Sequence, residues 1–267
     1  MITPFQIPCA GNLIQVHPYG QGPELLVVFH GFGETGAGYA ALGSRLEARY
    51  TVVVPDLPYH GGSKWEKGTL TPARLAELLR ALLQHTGRTR CALLGYSMGG
   101  RLALCAAREL PEAISRLLLV APEGLSPNPW LFLATRTLLG YGLFHQIIFH
   151  PKWVSPLIRL TERMGLVKKR QAAFVRELLA REDRRLQLFH CWRCFRWLTP
   201  VNAKRILQRS SPPARLLFGR QDRLVPPPGK RERDRWQPAR VQVLPGDHQL
   251  LLQRETLNEI YGYLCAP

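Results

Sequence analysis

Long hydrophobic runs are missing from this 267-residue chain. No stretch approaches the roughly eighteen uninterrupted apolar residues of a membrane-spanning helix, so no transmembrane segment is expected. The opening residues, MITPFQIPCAGN, contain neither a basic stretch nor an apolar core, so no secretory signal is expected either. The location that follows is cytoplasmic. Acidic residues are also scarce, with 19 Asp and Glu against 36 Lys and Arg, a net charge of +17. Such an excess favours anionic surroundings and makes an anionic membrane surface a candidate partner, with a peripheral location as the alternative. No basic run carries the aromatics or the fold motif that nucleic-acid recognition needs, so nucleic acid is not an expected partner. Metal-ligand patterns are absent too. Cys191 and Cys194 form a lone CxxC with no second pair, no histidines at ligand spacing and no thioredoxin-like setting. The six cysteines read as buried thiols, and neither metal nor cofactor is expected.

What is present is a rhythm. Short apolar runs, ELLVVFHGF (24–32), YTVVVPDL (50–57), RCALLGYS (90–97), ISRLLLVAPEG (114–124), ARLLFGRQD (214–222) and ARVQVLPGDH (239–248), each end in glycine, proline or a polar residue. Between several of them lie helical patterns, among them 71–87 with a threonine cap, a proline in the first turn and a glycine stop. Runs at 98–110 and 249–264 complete the set. Buried strands alternating with helices predict an α/β fold whose mostly parallel sheet is covered on both faces. Ligands of such sheets bind at the carboxyl ends of the strands. His30, Ser97, Glu123, Asp222 and His248 all stand at predicted strand ends. From about 126 to 210 the rhythm stops, and amphipathic helical segments carrying Trp130, Trp153, Trp192 and Trp197 predict a helical cap inserted into a core of 1–125 and 211–267.

Ser97 lies in GYSMG (95–99), between a buried run and a helix. A serine hydroxyl is a weak nucleophile until a base takes its proton, and that base needs a third group to orient it. The G-x-S-x-G pattern puts such a serine on a strained strand-to-helix turn. The competing explanation is close packing of strand and helix by small residues. The order Ser…Asp…His that this architecture requires is completed by Asp222 and His248 at consecutive strand ends. Glu123 and Asp247 are rival acids for His248. An oxyanion hole needs two backbone N–H donors, expected from Met98 after the nucleophile and from Phe32 in the loop HGFGETG (30–36). His30, Gly31, Tyr96 and Arg101 are the candidate substrate-binding residues, with His30 also placed to brace the loop it opens.

On the motifs HGFG, PDLPYHGGS, GYSMGGR, GRQD and GDH the chain resembles the α/β-hydrolase superfamily. That resemblance implies an eight-stranded, mostly parallel sheet, a cap, and a triad of Ser97, Asp222 and His248. GYSMGGR and DLPYHGGS are similar to the menaquinone-pathway lyases that form 2-succinyl-6-hydroxy-2,4-cyclohexadiene-1-carboxylate. There the arginine four residues past the serine, here Arg101, helps to bind an anionic substrate. The expected function is cofactor-free serine hydrolysis of a carboxylic ester with a hydrophobic or lipid-like group. The alternatives are a carbon–carbon lyase or hydrolase acting on an anionic small molecule, and a binding protein at a membrane surface.

Overall fold

Valine- and leucine-rich runs, buried on both faces at the centre, form most of one eight-stranded sheet. The structure is a computed structural model describing residues 2–126, 129–152, 154, 156, 162, 164, 176–198, 202–210 and 213–265. Six strands fall inside the predicted runs: β3 (Glu24–Phe29), β4 (Tyr50–Pro55), β5 (Cys91–Tyr96), β6 (Ile114–Val120), β7 (Arg215–Gly219) and β8 (Arg240–Leu244). They pair in parallel in the order β4-β3-β5-β6-β7-β8. Two further strands, β1 (Phe5–Cys9) and β2 (Asn12–Tyr19), were not anticipated and extend the sheet antiparallel beyond β4.

Helices α1 (Ala40–Leu46), α2 (Pro72–His85) and α3 (Met98–Glu109) belong with this sheet. The expected cap on α2 is present, since the Thr71 hydroxyl accepts from the Arg74 N–H at 3.3 Å. Along α3 nearly every residue through Ala107 is buried, which fixes the helix rigidly behind Ser97.

The chain divides into two compact units, Met1–Pro127 with Trp197–Pro267, and Asn128–Arg196. The smaller contains α4 (Pro129–Arg136), α5 (Leu138–Phe149) and α6 (Glu182–Cys194) around a cluster of Phe144, Ile148, Leu179 and Phe189. Cys191 and Cys194 are buried on α6 and neither is in a disulfide. Trp153 lies outside the described residues. The insertion is shorter than the expected 126–210. Helix α7 (Ala203–Arg209) belongs to the larger unit, where it packs on α3 and on α8 (Lys230–Trp236) and buries Ala203 and Leu207. The chain ends in α9 (Arg254–Leu264). Among the described residues no helix is long and apolar enough to cross a membrane.

Candidate active site

β5 runs into α3 through Ser97, whose φ of +51° and ψ of −118° lie where non-glycine residues are strained. Strain of this kind costs about 1–3 kcal/mol and persists only where the surroundings enforce it. Here the Ser97 N–H donates to the Val120 carbonyl at 3.0 Å, and the Ser97 carbonyl accepts from Gly100 and Glu123, each at 2.9 Å. Gly99 shows why the turn needs glycine, because a Cβ there would stand 1.9 Å from the Phe29 carbonyl oxygen at the end of β3. A serine at a helix N-cap ordinarily bonds the first-turn N–H groups. Ser97 makes no such bond. Its hydroxyl is turned instead to His248, with Oγ 2.8 Å from Nε2.

The far side of the imidazole is held as firmly. His248 Nδ1 lies 2.8 Å from Asp222 Oδ2, and the carboxylate is fully shielded from solvent. The other oxygen, Oδ1, accepts from the Leu224 and Val225 N–H groups, both at 2.9 Å. A carboxylate can only accept, so Nδ1 carries the proton and Nε2 is left to receive one from Ser97. Gly219 lets the two loops meet, since a Cβ there would be 2.5 Å from the Asp247 carbonyl. The rival acids have other partners. Asp247 is exposed and accepts from the Gln249 N–H, while Glu123 meets the site through its backbone N–H.

The expected oxyanion donors are the N–H groups of Phe32 and Met98. Among the described residues neither the Phe32 nor the Met98 N–H donates a hydrogen bond, whereas Gly31, Gly33 and Glu34 around Phe32 all do. That loop is stitched down by side chains from three directions. His30 donates from Nδ1 to the Gly31 carbonyl at 2.7 Å and accepts at Nε2 from the Leu57 N–H at 3.0 Å. Its neighbour His60 accepts from Gly33 and bonds the Pro58 carbonyl. Glu34 takes the Gly31 N–H and the Tyr39 hydroxyl, and buried Asp56 takes the N–H groups of Gly36 and Gly62.

The geometry therefore divides the candidate substrate-binding set. His30 is fully buried with both nitrogens engaged, and Gly31 has its N–H and carbonyl committed within the loop, so both are braces and offer a substrate no polar group. Tyr96 is 4% exposed, and its hydroxyl donates to the His248 carbonyl at 2.8 Å, tying the strand before Ser97 to the loop of His248. Burial pushes the Tyr96 phenol up, so it stays a neutral donor. Arg101 lies one helical turn beyond Ser97, 6% exposed, and its Nε has no hydrogen-bond partner among the described residues. His60, Glu34 and Asp56 were not singled out by sequence. The signal available for two of them was PDLPYHGGS, whose Asp56 and His60 both tie down the loop.

Burial, with His60 next in weight, pushes the His30 pKa down to about 3. An unfolded histidine protonates near 6.5, so between these values unfolding takes up a proton and stability falls as pH falls. From pH 7 to pH 5 His30 alone is expected to cost about 2 kcal/mol. Urea midpoints at the two pH values check this, with His30→Gln expected to flatten the slope by that amount. An unchanged slope in the variant would mean that His30 is not held neutral.

A doubly hydrogen-bonded imidazole beneath a strained serine at the carboxyl edge of a parallel sheet points to one architecture. The chain has the α/β-hydrolase fold. Residues 24–149 match the family model described as alpha/beta hydrolase fold. A thermophilic esterase from Thermogutta terrifontis superposes with a TM-score of 0.71 over 99% of this chain and 98% of its own, at 19% identity. The uncharacterized hydrolase YugF of Bacillus subtilis is 26% identical over 80% of this chain and 79% of its own length. A pimeloyl-(acyl-carrier protein) methyl ester esterase of Aeromonas salmonicida is 33% identical over 48% of this chain and 50% of its own. An uncharacterized Mycobacterium tuberculosis protein is 33% identical over 41% of this chain, and there the match spans only 32% of the relative.

Proposed function

We propose that the chain is a cofactor-free serine hydrolase that cleaves a carboxylic ester through an acyl-enzyme on Ser97. One observation carries this reading: the unbroken relay from Ser97 Oγ through His248 to the buried Asp222, at 2.8 Å on each side of the ring. In the reaction His248 Nε2 takes the hydroxyl proton as Oγ attacks the ester carbonyl. The oxyanion that forms is held by the Phe32 and Met98 N–H groups, each such donor contributing about 3 kcal/mol. His248 then gives the proton to the leaving alcohol, and a water activated by the same nitrogen releases the acid. Asp222 fixes the tautomer and stabilises the imidazolium. The test is intact-mass spectrometry after treatment with a fluorophosphonate. A single adduct that is lost in Ser97→Ala is expected, and folded protein that takes up none would overturn the reading.

Arg101 favours a second reading, or a narrowing of the first, in which the substrate carries a carboxylate. A buried guanidinium with an unpartnered Nε has lost solvent without a full set of acceptors. The Aeromonas relative's name, which places its ester on a pimeloyl group, agrees with such a substrate. The same arginine would serve a carbon–carbon lyase acting on an anionic compound. Arg101→Ala should raise KM for a carboxylate-bearing ester by about 10- to 100-fold, the worth of a charged hydrogen bond, and leave a neutral ester within about twofold. Equal effects on both would assign Arg101 to structure. Leu138 and Leu139 of the smaller unit are exposed and support contact of that unit with a lipid surface. Sedimentation with anionic and neutral vesicles tests this, and no association with either would remove it.

A further inference from the structure

The amino ends of β5 and β6 border a cavity of about 480 Å³, lying wholly within the larger unit. Its rim is made by Arg90 just before β5, by Arg108 near the end of α3, by Arg116 on β6, and by Arg205 and Arg209 on α7. Among the described residues arginine supplies five of the thirteen that line it, against 29 of the chain's 267, and no carboxylate does. An arginine-rich composition alone would scatter these groups over the surface. Arg108 is neutralised by an acid, with Glu109 at 2.7 Å. Arg116 donates to the Tyr263 carbonyl and lies over the Tyr263 ring, and Arg90 donates to the Ile114 carbonyl. Arg205 and Arg209 are exposed and make no ion pair among the described residues.

We propose that this cavity binds a small organic phosphate of about nucleoside diphosphate size. Guanidinium groups match phosphate oxygens two at a time, and a concave surface of one sign focuses its field on an anion. The volume falls within the range of small-molecule sites, roughly 300–1,000 Å³. Ile114, Ile206 and Pro111 in the lining offer an apolar surface to the organic part. The site is separate from the catalytic one. Ser97 follows the carboxyl end of β5, whereas the cavity lies at the opposite end of a six-residue strand, a separation of about 20 Å at 3.3 Å per residue. The proposal is therefore independent of the esterase reading.

Calorimetric titration with ADP and with inorganic pyrophosphate, at a fixed ionic strength of about 0.15 M, tests it. Saturable one-to-one binding is expected. The exposed double variant Arg205→Ala/Arg209→Ala should weaken it by about tenfold or more while its melting curve and its reactivity toward fluorophosphonate stay unchanged. Arg205→Lys/Arg209→Lys keeps the charge and removes the fork, and it too should bind more weakly than the parent. No saturable binding of either probe would overturn the proposal, as would equal binding by all three proteins. Capture only by vesicles containing phosphatidic acid, with neither soluble probe bound, would also overturn it and assign the arginines to a lipid surface.

Discussion

Ser97→Ala is expected to lower kcat/KM for a neutral nitrophenyl ester by about 10⁵- to 10⁶-fold. The size of the loss follows from the way the relay is built. Among the described residues no other hydroxyl bonds His248 Nε2, and the proposed oxyanion donors are backbone groups that the substitution leaves in place. Residual turnover should therefore stay above that of the uncatalysed reaction by about 10³-fold, the part supplied by the oxyanion hole and by binding. The fold should not suffer. Alanine takes the same strained backbone, and Oγ gives α3 no capping bond to lose. Steady-state kinetics with active-site titration of the parent measures the drop, and the melting temperature of the variant verifies its fold. A loss below about a hundredfold would remove Ser97 as the nucleophile and return the site to general-base chemistry.

How much of this site could be read from sequence varies with the range of the interaction involved. Ser97 was legible because the strained turn, the close approach of Gly99 to Phe29 and the start of α3 are all packed into a few residues. Asp222 and His248 were legible as strand ends, since β7 carries the apolar run Leu216–Phe218 and β8 is rich in valine. Chain order favoured Asp222 over Glu123 and Asp247, and the structure adds which carboxylate faces Nδ1. β1 and β2 were missed for a related reason. They alternate exposed and buried residues and include Pro8 and Pro18, so they lack the unbroken apolar run that marks the central strands. The loop braces lay further out of reach. His30 and His60 act through bonds to residues 27 positions away, and no local pattern says that both nitrogens of a histidine are occupied. The far boundary of the insertion was misplaced because α7 is amphipathic like the helices before it, and only tertiary packing shows that it belongs with α3.

Asp222→Asn is the second large effect, expected to lower kcat by about 10⁴-fold with little change in KM. The two N–H groups of Leu224 and Val225 converge on Oδ1 and will hold whichever side-chain atom can accept from them. In asparagine only the amide oxygen accepts, so the NH₂ group is forced toward His248 Nδ1. That nitrogen must then become the acceptor, and the ring proton moves to Nε2. Nε2 would then donate to Ser97 Oγ and could not take its proton. The variant thus keeps its shape and its substrate contacts while the base is in the wrong tautomer. Glu123→Gln and Asp247→Asn are the matched controls, each expected within about threefold of the parent because neither carboxylate is bonded to His248. Kinetics of all three, with ¹⁵N-resolved imidazole shifts of the parent and Asp222→Asn, would show whether the tautomer changes with activity. A comparable loss in Glu123→Gln, with Asp222→Asn close to the parent, would transfer the orienting role to the other strand end.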